Sequence, residues 1–426
     1  MNQEQKSTSA YVAPAQLCIG MYVYVELPWT EHPFTFSSFK ITSQDQITTL
    51  QSLGLDAIRY NPTKSDAAPL NALAAAVAKS VVPGPVPQAH INQAKRARIE
   101  RLLSQQTRAA TCAKEFESTA KTVKSINNHA LSNPEQARKE AESLVQAMAD
   151  SMLTDSDIAI NLMNDHIGGE DVYFHSLNVT LLAMMLAKEM KAPGEAIRQM
   201  GMGSMFHDIG KANLPELILR KTDLLSRAEL TLLKLHCAYG VEIGRKMGLS
   251  SAALKVILQH HEHVDGSGYP KGIQGSEINL LARIVAIVNS FDNLCNPVKQ
   301  SLAVTPHQAL SLMYAHQSGR FDKAALAAFV RCMGVYPAGT VVSLSNDCVG
   351  MVVSVNSAKP LKPTVLIYDP QVPREQAILV ELASDLDVTI SRALPPDQLP
   401  KPIHEYLSPG RNVTYYFDTE SKGANA

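Results

Sequence analysis

The sequence reads Gly203-Ser204-Met205-Phe206-His207-Asp208-Ile209-Gly210-Lys211 near the middle of the chain. An adjacent imidazole and carboxylate stand here beside a lysine, within an apolar run that contains two glycines. A neutral histidine nitrogen and an aspartate oxygen together suit borderline divalent metals. A single His-Asp pair is more often a helix-end hydrogen bond or a chance neighbour, so the pair indicates a metal site only if further ligands accompany it.

Further histidines flank this stretch on both sides. Six of the thirteen histidines fall between residues 175 and 263, each on or next to a segment whose apolar spacing predicts a helix. They are His175, His207, His236, His260, His261 and His263. Because histidines on different helices of a bundle can converge on an interior metal centre, the clustering predicts such a centre.

A second signature lies downstream, where the sequence reads Gln259-His260-His261-Glu262-His263-Val264-Asp265-Gly266-Ser267-Gly268-Tyr269-Pro270. At this separation from the His207-Asp208 motif, it resembles the HD-GYP branch of the HD phosphohydrolase superfamily. Upstream, Gly20-Met21-Tyr22-Val23 with Trp29 and Phe39 resembles an N-terminal domain known as DUF3391. The resemblance implies a metal-dependent phosphodiesterase that converts a 3′-5′ cyclic dinucleotide, cyclic di-GMP or 3′3′-cyclic GMP-AMP, to a linear dinucleotide or mononucleotide.

The resemblance also implies roles for individual residues. His207 and Asp208 are the pair that names the superfamily, with the Asp208 carboxylate bridging two metals, and Lys211 stabilises the charge that develops on the phosphoryl group. The implied metal ligands are Asp171, His175, His207, Asp208, His236, His260, His261 and Asn289. The implied substrate contacts are Lys211, Asp265, Gly268, Tyr269, Pro270 and Lys299. The implied cofactors are two divalent ions, or three if Asp171 binds one, with iron or manganese as the family's usual metals.

Two positions depart from the family pattern. Asn289 stands where the family usually has an aspartate ligand, and an amide oxygen coordinates a metal without contributing negative charge. We therefore expect weaker metal binding than in the family, or an inactive site. Val298-Lys299-Gln300 stands where the family often has Arg-Pro-Tyr, so Lys299 is expected to replace part of the arginine's role.

Two other functions stay open on the sequence. One is a catalytically degenerate module that binds a cyclic dinucleotide and signals through its N-terminal part, because Asn289 has replaced a ligand. The other is a metal phosphohydrolase for a different phosphoester. The retained ligands argue against the first alternative, and the loop at Gly268-Tyr269-Pro270 argues against the second.

Composition narrows the class of protein. The chain has 426 residues, 45% of them hydrophobic, and a formal charge of −1, so it can bury a sizeable core and has no net charge that favours a nucleic-acid polymer as partner. Its six cysteines lack C-x-x-C spacing, which predicts reduced thiols. No window approaches the roughly 20 apolar residues that span a bilayer. A cytoplasmic location is therefore expected.

The apolar pattern predicts a mainly α fold. An all-α bundle is expected between a small α+β module and a short β appendage, because helical spacing runs from Asn133 to about Met333 and strand-like alternation flanks it. The predicted divisions are 1–65 for the DUF3391-like module, 66–132 for an Ala/Pro-rich linker and connecting helix, 133–335 for the HD-GYP domain, 336–400 for the appendage and 401–426 for a polar tail.

A basic cluster, residues 95–101, falls on the predicted connecting helix. It favours a solvated helix face or a homodimer contact over a phosphate-binding stripe. The sequence does not identify a partner for the N-terminal module.

Overall fold

The computed structural model describes residues 10–27, 32, 34, 36–70, 107, 111, 114–154, 158–163, 171–356, 359, 361–370, 372–374, 377–383, 388–407 and 414–419. The predicted linker beyond residue 70, the basic cluster at 95–101 and Trp29 lie outside these ranges. The side chain of Asp171 also lies outside the described part, although its backbone begins a helix.

The N-terminal module is a four-stranded antiparallel sheet with one helix, as the α+β prediction requires. Its strands pair in the order β1-β4-β2-β3. The elements are β1 Ala10–Val12, β2 Tyr22–Tyr24, β3 Ser38–Lys40, α1 Gln44–Ser52 and β4 Ile58–Asn61. The α1 helix begins where the Ser43 side chain accepts a hydrogen bond from the Gln46 backbone N–H. Met21, Val23 and Leu50 are fully buried in the core of this module.

Helices form the central part of the chain, and the mainly α prediction is confirmed. They are α2 (114–129), α3 Pro134–Thr154, α4 Asp171–Glu189, α5 Gly194–Met205, α6 Glu216–Leu219, α7 Arg227–Lys234, α8 His236–Met247, α9 Ser251–Gln259, α10 Leu280–Cys295, α11 Pro306–His316 and α12 Lys323–Met333. The α3 helix starts at Pro134, because the fixed φ of proline suits the first position of a helix. The α8 helix ends before Gly248, whose φ of 75° is typical of the residue that closes a helix. No helix within the described ranges is long and apolar enough to cross a membrane.

The short β appendage predicted for residues 336–400 is part of a larger, seven-stranded antiparallel sheet. Its order is β10-β6-β7-β5-β11, with β8 on the other edge of β7 and β9 beside β8. The elements are β5 Ile158–Met163, β6 Val341–Leu344, β7 Val349–Asn356, β8 Thr364–Ile367, β9 Ile378–Glu381, β10 Ile390–Ala393, α13 Lys401–Leu407 and β11 Thr414–Thr419.

Two of these strands correct the sequence interpretation. The β5 strand interrupts the stretch from 133 to 333 that was expected to be all helical, and β11 lies in the predicted polar tail, for which no strand was expected. They pair with each other over six residues, and β5 also pairs with β7. Each strand depends on a partner far away in sequence, which local periodicity does not reveal.

The N-terminal module rests on this sheet. Phe36 lies in the sheet's hydrophobic core, and the Tyr22 hydroxyl donates to the Asn346 carbonyl oxygen at 2.7 Å. Ser37 donates to Asp369, and Lys64 forms an ion pair with Asp347. The N-terminal module therefore packs on the same sheet that contains β5, the strand that precedes α4 in sequence.

Candidate metal centre

The His207-Asp208 motif lies in a tight turn between α5 and a 3-10 segment, Ile209–Asn213. Two glycines allow neighbouring helices to approach this turn. A Cβ at Gly203 would lie 2.6 Å from the Val256 side chain on α9, and a Cβ at Gly210 would lie 1.9 Å from the His236 carbonyl oxygen. Only glycine fits at such distances, so these positions bring the motif close to α8 and α9.

The other histidines come from three different helices. His175 lies on α4, His236 is the first residue of α8, and His260 is the C-cap of α9, followed by His261. The α4 helix packs against α5 and α10, and α9 packs against α5 and α8. The predicted convergence of these histidines is therefore present.

The Asp208 carboxylate lies at the centre of the cluster and is 7% exposed. Its Oδ1 faces His236 Nε2 at 3.4 Å and His260 Nε2 at 3.8 Å. Its Oδ2 faces His207 Nε2 at 3.3 Å and His175 Nε2 at 3.7 Å, and accepts a hydrogen bond from Lys211 Nζ at 2.6 Å. Each carboxylate oxygen thus faces a separate pair of imidazoles.

Each of these four imidazoles is held through its Nδ1 atom. His207, His236 and His260 have Nδ1 within 2.6, 2.7 and 2.9 Å of the backbone carbonyl oxygens of residues 204, 233 and 257. His175 has Nδ1 2.6 Å from the Asp292 carboxylate. Since these partners only accept, we assign the ring proton to Nδ1, which leaves the Nε2 lone pair free to bind a metal.

The Nε2 atoms then face each other in pairs. His175 and His207 approach to 3.2 Å between Nε2 atoms, and His236 and His260 approach to 3.3 Å. Two neutral imidazoles in this tautomer would oppose lone pair to lone pair, which is unfavourable unless a cation binds between them. The pairs therefore fit metal ligation rather than structural hydrogen bonding.

Protonation is disfavoured on the His236 and His260 side of the cluster. Burial lowers the pKa of His236 and lowers the pKa of His260 and His261 well below the usual value. Burial alone would raise the pKa of Asp208, but the charge of Lys211 and the neighbouring His207 outweigh it and hold this pKa well below its ordinary range. Neutral imidazoles around an ionised carboxylate are the protonation states that metal ligands need.

Two ligand groups share the Asp208 carboxylate. One consists of Asp208, His236, His260 and His261, and the other consists of His175, His207 and Asp208; within each group the ligand atoms lie within 4.8 Å of one another. Asp208 Oδ1 is buried and has no hydrogen-bond partner in the described structure. This buried unpaired oxygen among nitrogen ligands fits two divalent ions better than a purely structural role.

Asp292 is a site residue that the sequence interpretation missed. Its Oδ2 holds His175 Nδ1 at 2.6 Å, and its Oδ1 accepts hydrogen bonds from Asn178 and Asn296. A carboxylate that orients a ligating imidazole is a recurring feature of metal sites. The available signal was position, because Asp292 lies three residues after Asn289, the position where the family usually has an aspartate ligand.

Asn289 is buried on α10, one turn before Asp292. Its Oδ1 accepts a hydrogen bond from Asn293 Nδ2 at 2.8 Å. Among the described contacts, no hydrogen bond joins the Asn289 amide to the histidine cluster. Its role as a metal ligand stays a prediction.

The predicted substrate loop lies beside His261. The Tyr269 ring stacks on the His261 ring with centroids 4.5 Å apart, and the Tyr269 N–H donates to the His261 carbonyl oxygen. A Cβ at Gly268 would lie 2.3 Å from the His263 nitrogen, so only glycine permits this fold of the loop. Pro270, which follows a cis peptide bond, is exposed.

Asp265, His263 and Lys299 lie apart from the ligand groups. Asp265 accepts a hydrogen bond from the Ser267 N–H and so shapes the loop, and His263 has Nδ1 2.9 Å from the Ser267 hydroxyl. Lys299 is exposed after α10, and no described contact joins its side chain to the cluster. The structure therefore brings together five of the six clustered histidines with Asp208, Lys211 and Tyr269, but not Asp265, His263 or Lys299.

Comparison with known sequences agrees with this geometry. The HD domain family matches residues 125–325, and the domain of unknown function DUF3391 matches residues 11–141. Both family assignments made from the motifs are confirmed. The DUF3391 match extends past residue 65, although the domain divisions themselves stay predictions.

Three curated relatives illustrate the range of similarity. Cyclic di-GMP phosphodiesterase PA4108 of Pseudomonas aeruginosa is 29% identical over 359 residues, which is 83% of each chain. Cyclic di-GMP phosphodiesterase response regulator RpfG of Xanthomonas campestris is 34% identical over 35% of this chain and 40% of its own length. 3′3′-cGAMP-specific phosphodiesterase 1 of Vibrio cholerae is 32% identical over 37% of each chain. The chain is therefore similar to HD domain proteins over residues 125–325 and to DUF3391 domains over residues 11–141.

Proposed function

We propose that this chain is a metal-dependent phosphodiesterase that hydrolyses a 3′-5′ cyclic dinucleotide to a linear dinucleotide or a mononucleotide. The observation that carries the proposal is the buried Asp208 carboxylate, whose two oxygens face two separate groups of histidine Nε2 atoms. The curated relatives described above act on cyclic di-GMP or on 3′3′-cGAMP, and both substrates are retained for this chain.

The proposed metals are two divalent ions, iron or manganese, with Asp208 as the shared ligand. Histidine nitrogens with one carboxylate suit either metal. Divalent ions held at such a pair of sites make a water molecule acidic enough to attack at neutral pH and stabilise the charge on the phosphoryl oxygens. A third ion would need Asp171, and this ligand stays a prediction from the resemblance.

The residues of the chain prepare the site for this chemistry. The carbonyl oxygens and Asp292 fix the tautomer and direction of each imidazole, so the ligands need little rearrangement when the ions bind. Lys211 is 34% exposed and bonds to Asp208, which places a partly exposed positive charge beside the cluster. We assign to Lys211 the stabilisation of negative charge that develops on the substrate phosphate.

The degenerate alternative rests on one observation. Asn289 supplies no charge, and its Oδ1 is already bonded to Asn293. The hydrolase is the better proposal because the Nδ1 anchors of all four facing histidines are in place, and binding a nucleotide alone does not require Nε2 lone pairs to be aimed at a common carboxylate.

Product analysis would test the proposal. Protein reconstituted with Mn²⁺ or Fe²⁺ is incubated with cyclic di-GMP and, separately, with 3′3′-cGAMP, and the products are separated by chromatography. We expect a linear dinucleotide or mononucleotides from at least one substrate. Nucleotide binding without product in fully metallated protein would instead establish the degenerate alternative.

A homodimer, a cytoplasmic location and a partner for the N-terminal module stay predictions. The basic cluster that motivates the homodimer lies outside the described residues.

A further inference from the structure

Lys234 is a cation beside the metal centre that the proposed mechanism does not yet use. It is the last residue of α7, two positions before His236, and it is exposed. Its ammonium lies over the Tyr269 ring, 5.1 Å from the centroid. Tyr269 in turn stacks on His261, so one ring connects Lys234 to a residue of the four-ligand group.

The two lysines of this region differ in their partners. Lys211 is bonded to Asp208, whereas no described carboxylate forms an ion pair with Lys234. A cation–π contact restrains an ammonium group without neutralising it. Lys234 therefore keeps its full charge available for an anion that reaches the metal centre from the Tyr269 side.

Tyr269 is better suited to support Lys234 than to stack a nucleobase. Its ring is covered by His261 at an interplanar angle of 21°, and Lys234 lies over the ring as well. A base that stacked on Tyr269 would have to displace one of these neighbours. The direct contact with the ligand is thus assigned to the ammonium of Lys234.

The chemistry of the substrate class then determines what Lys234 binds. A cyclic dinucleotide has two phosphates, and only one of them can occupy the metal centre during a single cleavage. Ammonium groups bind phosphate through strong charge-assisted hydrogen bonds. We propose that Lys234, held over Tyr269, binds the second phosphate of the cyclic dinucleotide; this assignment rests on the function proposed above.

A simpler role must be separated from this one. Lys234 lies in the last turn of α7, where a cation stabilises the helix dipole whatever its other contacts. Lys246 is also exposed and lies in the last turn of α8. It shares the dipole effect but, in the described structure, makes no contact with Tyr269, so Lys246→Met is the matched control.

The test measures the kinetics of four Mn²⁺-loaded proteins on two substrates. The proteins are the wild type, Lys234→Met, Lys234→Arg and Lys246→Met, and the metal content of each is determined. Cyclic di-GMP, or 3′3′-cGAMP if that is the substrate cleaved, has two phosphates, and bis(p-nitrophenyl) phosphate has one. Lys234→Met should raise the cyclic dinucleotide's KM roughly tenfold or more, with a smaller change in kcat. Its KM for bis(p-nitrophenyl) phosphate should stay near wild type, Lys234→Arg should retain most of the affinity, and Lys246→Met should match wild type.

The outcomes separate this assignment from the proposed function. If the wild-type protein cleaves a cyclic dinucleotide and Lys234→Met leaves its KM unchanged, only the assignment of Lys234 is overturned. Equal losses on both substrates would also overturn it, because they would indicate damage to the metal centre. If the wild-type protein cleaves bis(p-nitrophenyl) phosphate but neither cyclic dinucleotide, the proposed function fails and the assignment fails with it.

A double-variant cycle gives a second measurement. Lys234 is held in place by the Tyr269 ring, so Tyr269→Leu should remove most of the benefit of Lys234. The changes in log KM for Lys234→Met and Tyr269→Leu should then be clearly less than additive. Additive changes, with metal content intact in all three variants, would contradict the supporting role of the ring.

Discussion

Asp292 and Asn289 lie one turn apart on α10, and each gives a prediction about how the proposed ions are held. Asp292 acts through His175, whose ring it orients at 2.6 Å. Asp292→Asn weakens this charge-assisted hydrogen bond and is expected to lower metal affinity by about 10–100-fold, as for other residues that orient a ligand. Metal titration followed by calorimetry measures the change. The exposed Asp56 serves as control, and equal affinities for Asp292→Asn and Asp56→Asn would contradict this role.

Asn289 gives a prediction in the opposite direction, an increase in metal affinity. Asn289→Asp adds a negative charge at the position where the family has an aspartate ligand, so the protein should retain more metal after dialysis. Asn293→Asp adds the same charge one turn further along α10 and serves as the control. Metal content by mass spectrometry distinguishes them, and equal metal retention in the two variants would mean that Asn289 is not a ligand position.

The motifs identified most of the proposed metal ligands but not the residues that orient them. The sequence identified His207, Asp208 and the histidine pair after α9 because these residue types are unusual at their spacing. It did not identify Asp292, because an aspartate on a helix gains its role only from the ring of His175, 117 residues away. The contact of Asp265 with the substrate stays a prediction, and in the structure its side chain accepts a hydrogen bond within its own loop, which is the common behaviour of aspartate before a turn.

At the scale of elements, the site depends on how closely the HD turn approaches α8. Gly210 lies against the first turn of that helix, where a Cβ would be 1.9 Å from the His236 carbonyl oxygen and 2.4 Å from the Gly240 nitrogen. Both neighbours are backbone atoms, so no side chain can rotate away. The helix itself would have to move, and it carries His236.

Gly210→Ala should therefore lower both stability and metal binding. Overpacking of this kind costs about 1–3 kcal/mol or more, and the displaced α8 should lose part of the ligand group. Gly319→Ala is the control because nothing lies within 4 Å of its added Cβ, and its effect should stay within about 0.5 kcal/mol. Chemical denaturation measures the free energy of unfolding of both variants. If Gly210→Ala had the same value as the wild-type protein, the close approach of the HD turn to α8 would be contradicted.

Elements were predicted best where the pattern is local. Helical spacing was predicted to begin at Asn133, and α3 starts at Pro134, the next residue. By contrast, β5 and β11 are each short, and they pair across more than 250 residues of sequence. Their alternation is too brief to outweigh the helical surroundings of β5 or the polar composition of the tail.

At the scale of the whole molecule, the buried histidines link stability to pH. In metal-free protein, burial lowers the pKa values of His236, His260 and His261, whereas the unfolded chain has histidines near 6.5. The unfolded state thus binds more protons below pH 6.5. The stability that the neutral histidines contribute is therefore fully present above pH 6.5 and is lost as the pH falls toward the folded-state pKa values.

The corresponding prediction is a falling free energy of unfolding between pH 7.5 and 5.5 in chelator-treated protein. The loss should approach about 1.4 kcal/mol per pH unit for each imidazole that stays neutral. Denaturant titration at several pH values measures it. A free energy of unfolding that is constant or rises toward pH 5.5 would contradict the buried neutral histidines.

The seven-stranded sheet contacts parts of the chain that are far apart in sequence. The N-terminal module contacts the seven-stranded sheet through Tyr22 and Phe36, and that sheet includes β5. In sequence, β5 is followed by α4, which carries His175. The β11 strand of the same sheet contacts α4, so one sheet touches both the N-terminal module and the helix that carries His175.

The most direct test of the account is the metal content and turnover of Asp208→Ala beside wild type, after both are reconstituted with Mn²⁺ and dialysed. Asp208 is the proposed ligand that both histidine groups share. We predict that the wild-type protein retains divalent ions and cleaves a cyclic dinucleotide, and that Asp208→Ala loses most of the metal and all measurable turnover. Full metal content and wild-type turnover in Asp208→Ala would contradict the account, because the two histidine groups would then not depend on a shared carboxylate.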